Sequence, residues 1–185
     1  MSDPAASPPF SGKPTATDLA FIAFLIAVLV SIVLLGRLTY DEGVKTNATK
    51  EGAEALVRWL AEQSPRRDTD TFELSACALS AQGQATARQW AGCRDALQQQ
   101  GGPLGAARNA FTGKPVRFVA RCDPADRATV GEFVIEKLVP TPPGSALPVV
   151  VSPLVDQDGI EARQNLRISV CDKGGYTIRV AETEF

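Results

Sequence analysis

The sequence predicts an α+β protein in which one N-terminal transmembrane helix continues into a soluble domain with a small antiparallel sheet of about four strands. Three observations support this fold class. Residues 19–36 form an uncharged apolar run, residues 41–63 repeat apolar side chains at helical spacing, and short C-terminal segments alternate apolar and polar side chains. We divide the chain into a polar, proline-rich tail (1–16), a transmembrane helix (17–38), a helical extension (39–64) and a soluble α+β domain (65–185).

The apolar run is long enough to cross a membrane. It carries no charge and a single hydroxyl group, that of Ser31, and it approaches the roughly 20 residues that span about 30 Å of hydrocarbon. Arg37 at its end can extend its charge towards the headgroups. We expect an uncleaved anchor rather than a cleavable signal peptide, because the preceding segment is long and balanced in charge and no small-x-small cleavage site follows before Tyr40.

Charge and cysteine content favour opposite orientations of this anchor. Three basic residues follow the run, Arg37, Lys45 and Lys50, against Lys13 and the amino terminus before it. Charge alone therefore favours a cytoplasmic C-terminal domain. Four cysteines without a CxxC pair, in a chain without histidine, instead favour two disulfides in an oxidising compartment. Because large domains translocate with little regard to flanking charge, we expect the domain in a bacterial periplasm, anchored in the inner membrane.

The four cysteines allow three pairings. We expect nearest-neighbour pairing, Cys77 with Cys93 and Cys122 with Cys171. Strand alternation is an objection to the second pair, because it places Cys122 on the apolar face of its strand and Cys171 on the polar face, so that a bulge or twist is needed. The alternatives are a four-cysteine zinc site, although the usual short ligand spacings are missing, and four free core thiols.

The chain is predicted to remain helical beyond the membrane run and to stop at Ser64-Pro65, because the residue before a proline is pushed out of the helical region. The apolar side of this extension is formed by Ala53, Leu56, Val57 and Leu60. Residues 66–100 are predicted to hold one or two short helices. The basic pair Arg66-Arg67 is predicted to lie on a helix-end surface.

Four segments are strand candidates: residues 116–122, 132–139, 166–171 and 176–181. The last two alternate apolar and polar side chains and are joined by Asp172-Lys173-Gly174-Gly175, a connection typical of a hairpin. We therefore expect them to be antiparallel neighbours. The proline-rich stretch between the second and third candidates is predicted to be a long extended loop that covers a sheet edge or contacts a partner.

A long N-terminal helix that is half membrane and half soluble, followed by an antiparallel sheet and a cysteine-tied C-terminal end, resembles the type IV pilins and the pseudopilins of type II secretion. The stretch Asn109-Ala110-Phe111-Thr112-Gly113-Lys114-Pro115 looks like the turn that such proteins often carry between helix and sheet. The resemblance implies a pilin-like domain and a role in a filament or secretion system. The processing motif of the family is absent, since Gly12 is followed by Lys13 and the first glutamate is Glu42.

Small residues recur along the membrane segment. Ala23, Ala27 and Ser31 lie four residues apart, which makes a ridge along which another helix can approach closely, although alanine is also common in membrane helices without such a contact. Together with the proline-rich tail, this ridge predicts contacts with integral membrane subunits, in addition to the lipid bilayer.

The sequence carries no catalytic or cofactor-binding pattern. A chain without histidine cannot form a Ser-His-Asp triad or a histidine-ligated metal site. The acidic stretch 156–161 is similar to the start of a calcium loop, but it does not meet the spacing of such a loop and is interpreted as a turn. A net charge of −2 provides no basic field for nucleic acid. We therefore expect no cofactor, no metal and no nucleic-acid partner.

These observations favour a non-catalytic, single-pass accessory subunit of a larger bacterial inner-membrane complex, for which an energy-converting complex is one candidate host. Two alternatives remain. The chain could be a pilin-like component of a filament or secretion system that retains its leader. It could also be an anchored enzyme or ligand-binding domain that uses carboxylates or cysteines.

Overall fold

The computed structural model describes residues 15–79, 89–143, 147–160 and 162–185. The chain divides into two compact units, residues 1–41 and 42–185. Most of the predicted N-terminal tail lies outside the described residues.

The described residues form two α-helices and four β-strands. The helices are α1 (Ala16–Gln63) and α2 (Trp90–Gln98). The strands are β1 (Phe133–Pro140), β2 (Val149–Pro153), β3 (Asn165–Cys171) and β4 (Thr177–Glu184), and short 3-10 turns span Ser64–Arg66, Ser75–Cys77 and Arg127–Thr129. The α+β class is therefore confirmed.

The first unit contains the apolar part of α1. Thr15 and Asp18 cap its start reciprocally, with the Thr15 amide donating to Asp18 Oδ2 at 2.9 Å and the Asp18 amide donating to Thr15 Oγ1 at 3.3 Å. Every large apolar side chain from Leu19 to Leu38 is at least 39% exposed. The helix is long and apolar enough to cross a membrane, and none of its most apolar window is buried within the protein.

The second unit is built on the C-terminal part of α1. Its buried side chains, Thr49, Ala53, Leu56 and Leu60, recur at helical spacing. Gly52 lies against the ring of Phe133 in β1, where an added Cβ atom would be 3.6 Å from the ring. The predicted apolar stripe is thus the side of the helix that packs on the sheet. The helix ends at Gln63, before the predicted stop at Ser64-Pro65.

The four strands form one open antiparallel sheet in the order β2-β1-β3-β4. The predicted β3–β4 hairpin is confirmed, and its turn needs glycine at position 175. Gly175 has a φ of +79°, and a Cβ atom there would lie 2.5 Å from the Cα atom of Pro124. The register between β3 and β4 shifts at Ile168/Ser169, which adds one residue to β4 at that point.

The predicted strand over residues 116–122 is wrong. This segment meets β1 at a single parallel bridge, Phe118 with Phe133, where the Val119 amide donates to the Phe133 carbonyl at 2.8 Å. Pairing stops there because the chain turns at Asp123, whose Oδ1 accepts the Ala125 amide at 2.8 Å. A local turn therefore overrides the β propensity of the segment.

The fourth strand is instead β2, inside the stretch that we predicted to be an extended loop. Pro148 precedes this strand and Pro153 is its last residue. Pro153 is compatible with pairing because β2 is the edge strand of the sheet and the register turns the nitrogen of Pro153 to the open side, where a missing amide costs no ladder bond. Pro148 lies before the strand, and its carbonyl still accepts the Thr141 amide. The prediction of extended structure there was right, but the assignment to a loop was wrong.

Residues 66–100 contain one α-helix in their described part, α2, together with the 3-10 turn Ser75–Cys77. The disulfides join Cys77 to Cys93 and Cys122 to Cys171, as nearest-neighbour pairing predicts. The alternatives of a zinc site and of free thiols are therefore wrong. The strand-face objection to the second pair does not arise, because Cys122 lies in a loop rather than in a strand.

Candidate functional site

The most extensive exposed apolar surface is the outside of α1 between Leu19 and Leu38. The most apolar window of this helix has a mean hydropathy of 3.0. The ridge residues Ala23, Ala27 and Ser31 are all exposed on this part of the helix. The Ser31 hydroxyl donates to the carbonyl of Ala27 at 2.8 Å. Because this bond satisfies the hydroxyl group within the helix, the ridge can face lipid or another helix without an unpaired polar group.

A second exposed apolar surface lies at the edge of the sheet. We call it the valine edge; it consists of Val139, Val149, Val150 and Val151. These four side chains are between 38% and 47% exposed. Val139 belongs to β1, and the other three make up most of β2. Side chains alternate along a strand, so Val139 and Val150, which are register partners, share one face of the sheet and Val149 and Val151 share the other. Clustered exposure of apolar side chains on both sides of an edge strand marks an interaction site more often than an isolated exposed valine does.

The backbone of the valine edge is open for pairing on its outer side. At the two ends of the β1–β2 ladder, the Thr141 amide donates to the Pro148 carbonyl at 3.2 Å and the Leu154 amide donates to the Ile135 carbonyl at 3.0 Å. In an antiparallel pair, alternate residues point towards the partner strand. This register directs the backbone groups of Val150 towards β1 and those of Val149 and Val151 away from the sheet. No described strand pairs with that outer side.

Arg67 connects three distant parts of the second unit. It is only 1% exposed. Its Nε donates to the Cys77 carbonyl and its Nη2 to the Ile160 carbonyl, both at 2.7 Å, and its guanidinium lies 4.1 Å from the centre of the Phe185 ring. The sequence-based assignment of this residue to a helix-end surface is therefore wrong. These contacts satisfy buried carbonyls and fill the interior, and they indicate a structural role.

A cleft of about 310 Å³ opens beside α2 and is lined by residues that include Trp90, Arg94, Phe118, Leu154 and Asp156. Arg94 forms an ion pair with Asp156 across it. The hydrogen bond that Arg94 donates to Asp156 raises the pKa of the Arg94 guanidinium above its ordinary value. This side chain therefore stays charged and ties α2 to the loop after β2. The arrangement presents an ion pair to solvent.

The acidic stretch 156–161 is a turn held by ion pairs as far as the structure describes it. Lys137 Nζ lies 2.5 Å from Asp158 Oδ1, and the Val155 amide donates to Asp158 Oδ2 at 2.8 Å. Partial burial acts to raise the pKa of Asp158, but the two hydrogen bonds outweigh it and lower that pKa below its ordinary value. Among the described residues, no group of three or more Cys, Asp and Glu side chains is placed to hold a metal ion.

Comparison with known proteins gives no relative from which a function could be transferred. No family model, no curated protein and no solved structure matches this chain. The candidate sites are therefore the two exposed apolar surfaces, one on the helix and one at the sheet edge. The sequence predicted the first from its hydropathy and missed the second because the prolines around β2 obscured the strand.

Proposed function

We propose that this protein is a non-catalytic, single-pass subunit of a larger bacterial inner-membrane complex, with residues 17–38 in the bilayer and the second unit in the periplasm, where it contacts partner subunits. The observation that carries the proposal is that every large apolar side chain from Leu19 to Leu38 is exposed. Burying apolar surface stabilises by about 25 cal/mol per Å². Such a surface therefore requires a lipid or protein environment.

The disulfides support the periplasmic side. Both cysteine pairs are bonded, and stable disulfides form in oxidising compartments such as the bacterial periplasm. The positive-inside count gives the opposite indication, but it is a weak constraint on a domain as large as residues 42–185.

Two surfaces support partner contacts. The ridge of Ala23, Ala27 and Ser31 suits a close approach of another membrane helix. The valine edge suits the addition of a strand, because the backbone groups of Val149 and Val151 face outwards between apolar side chains. Partners of this kind are integral membrane proteins with a periplasmic segment that can adopt an extended conformation.

A second candidate function is a pilin-like component of a filament or secretion system. Its support is the order of the elements, a long apolar helix followed by a four-stranded antiparallel sheet with a disulfide at Cys171. Lateral stacking of the ridge between identical chains, and a regular filament repeat, would distinguish this function from a subunit of fixed stoichiometry.

The test is gentle solubilisation from the native membrane through a C-terminal tag, followed by mass spectrometry and native mass measurement. We expect integral membrane subunits at a fixed stoichiometry. Ala27→Leu, which enlarges the ridge, should reduce their recovery several-fold, whereas Val33→Leu, off the ridge, should not. Val151→Lys should reduce recovery of partners that use the sheet edge.

Other outcomes of this experiment contradict the accessory-subunit proposal. Homopolymers would support the pilin-like function. Recovery of the chain alone, with equal behaviour of both helix variants, would leave an anchored enzyme or ligand-binding domain as the better account. Release of the full chain from the membrane by alkaline carbonate would show that residues 17–38 do not form a transmembrane anchor.

A further inference from the structure

The turn between β3 and β4 is attached to the helix that leads into the apolar segment. Lys173 in this turn forms an ion pair with Glu42 of α1. Arg127 supports the turn from the side, since its Nη1 donates to the Lys173 carbonyl at 3.0 Å. The disulfide of Cys122 with Cys171 fixes the base of the turn to the neighbouring loop. The turn is therefore fixed to the neighbouring loop by two contacts, and the ion pair of Lys173 joins it to Glu42 of α1.

Glu42 follows Leu38, the last residue of the predicted span, by four residues. In a helix this separation is a rise of about 6 Å, and even a fully extended chain covers no more than about 14 Å. The headgroup layer of a bilayer is roughly 5–8 Å thick on each side. If Leu38 lies at the boundary of the hydrocarbon, Glu42 and the turn paired with it therefore lie at or next to the headgroups.

The distribution of tyrosine agrees with this position. The chain contains two tyrosines. Tyr40 comes two residues after Leu38 and is 71% exposed, and Tyr176 lies at the end of the β3–β4 turn and is 65% exposed. Tyrosine is enriched at both membrane–water interfaces, because its ring is apolar and its hydroxyl group can remain hydrated. Trp90, in contrast, is buried in the core.

The charges on the turn are balanced. Lys173 pairs with Glu42, and Asp172 Oδ1 accepts the Tyr176 amide at 2.8 Å. Arg121, on the loop fixed by the disulfide, is 3.9 Å from Asp123. Lys173 and Asp172 in the turn, with Glu42 and Arg127 beside it, sum to no net charge. A surface of this kind with an exposed tyrosine suits zwitterionic phospholipid headgroups and does not require anionic lipid.

We propose that the β3–β4 turn is a membrane-surface contact in which Tyr176 inserts among the phospholipid headgroups of the bilayer that holds the protein's own helix. This inference rests on the proposed function, because it requires residues 17–38 to span the membrane. Its consequence is that the second unit has two attachments to the membrane, the covalent link through α1 and the turn.

The experiment places a nitroxide label at position 176, through a keto-bearing phenylalanine analogue, in the full-length chain in phosphatidylcholine nanodiscs. Collisions of the label with oxygen report lipid, and collisions with a water-soluble nickel complex report water. Two reference labels are placed at positions 30 and 147. Val30 is in the middle of the span, and Leu147 precedes β2 at the end of the sheet opposite the β3–β4 turn.

We expect the label at 176 to show several-fold lower nickel accessibility than the label at 147, with an oxygen accessibility between those at 147 and 30. Equal nickel accessibility at 176 and 147, with position 30 in lipid, would overturn this inference and leave the membrane anchor intact. Water exposure at position 30 would instead contradict the proposed function, and the turn contact with it.

We also expect the low nickel accessibility of the label at 176 to persist in 1 M salt. If that accessibility rose to the bulk-water value in 1 M salt, a charge attraction and not headgroup insertion would hold the turn.

Discussion

The two parts of helix α1 have the same backbone structure and opposite surroundings. From Leu19 to Leu38, each large apolar side chain is exposed, whereas Ala53, Leu56 and Leu60 are at most 1% exposed. Local helix propensity therefore does not distinguish the two parts. The difference lies in the apolar surface, which the second part buries inside the protein and the first part leaves exposed, as the proposed membrane anchor requires.

The largest expected effect comes from removing the disulfides, which belong only to the second unit. The sequence separations are 49 for Cys122–Cys171 and 16 for Cys77–Cys93. Loop-closure entropy then predicts that replacing both cysteines of Cys122–Cys171 by serine lowers the free energy of unfolding by about 4 kcal/mol. The same replacement at Cys77–Cys93 should lower it by about 3 kcal/mol. Urea unfolding in detergent, followed by tryptophan fluorescence, measures both losses.

Membrane retention is the control for these variants, because the exposed apolar segment contains no cysteine. We expect both double variants, like the unmodified protein, to remain in the membrane after carbonate extraction. If the variants were released, the two parts of α1 would not be independent in the way that their surroundings indicate.

A matched pair of leucine substitutions tests directly whether the two parts of α1 contribute differently to the stability of the second unit. Leu60 is fully buried and Leu29 is 62% exposed. Leu60→Ala should destabilise the second unit by about 2–5 kcal/mol, because it removes buried methylene groups and leaves a cavity. Leu29→Ala should change the same unfolding free energy by less than about 0.5 kcal/mol. Equal losses would show that residues 19–38 pack against the rest of the protein in solution.

The elements that depend on local pattern were predictable from the sequence. The uncharged run at residues 19–36 and the spacing of Ala53, Leu56 and Leu60 identify the helix, and Ser64-Pro65 identifies its end. The alternation on either side of Asp172-Lys173-Gly174-Gly175 identifies the β3–β4 hairpin. In each case the residues that determine the element lie within one short stretch of the chain.

The features that depend on distant residues were not predictable in this way. The burial of Arg67 requires the carbonyls of Cys77 and Ile160 and the ring of Phe185 to converge, and no local spacing encodes that convergence. The valine edge was missed because prolines argue against a strand unless its place at the edge is known. The prediction of a strand at residues 116–122 was wrong for the opposite reason. The segment has high β propensity, but the chain turns at Asp123.

The smallest expected effect is a pH dependence that belongs to the second unit alone. The folded pKa of Asp158 lies below its unfolded value because of the hydrogen bonds from Lys137 and the Val155 amide. A lowered carboxyl pKa contributes stability that is present above about pH 4 and is lost as the pH falls through the folded pKa. The free energy of unfolding should therefore fall more between pH 6 and pH 3 in the unmodified protein than in Lys137→Met. The difference between the two falls should be less than about 1 kcal/mol, because the ion pair is partly exposed.

Lys114→Met is the matched control, since Lys114 is exposed and takes part in none of the ion pairs found among the described residues. The midpoints of urea unfolding of Lys114→Met at pH 6 and pH 3 should equal those of the unmodified protein. Carboxylates that titrate equally in all three proteins change their stability equally and do not affect the difference. Identical pH dependence in Lys137→Met and the unmodified protein would show that the pair does not form in solution. The turn at residues 156–160 would then depend on the ion pair of Arg94 with Asp156 and on hydrogen bonds that do not involve Lys137, among them those from the Trp90 and Ala91 amides to the carbonyls of Asp158 and Asp156.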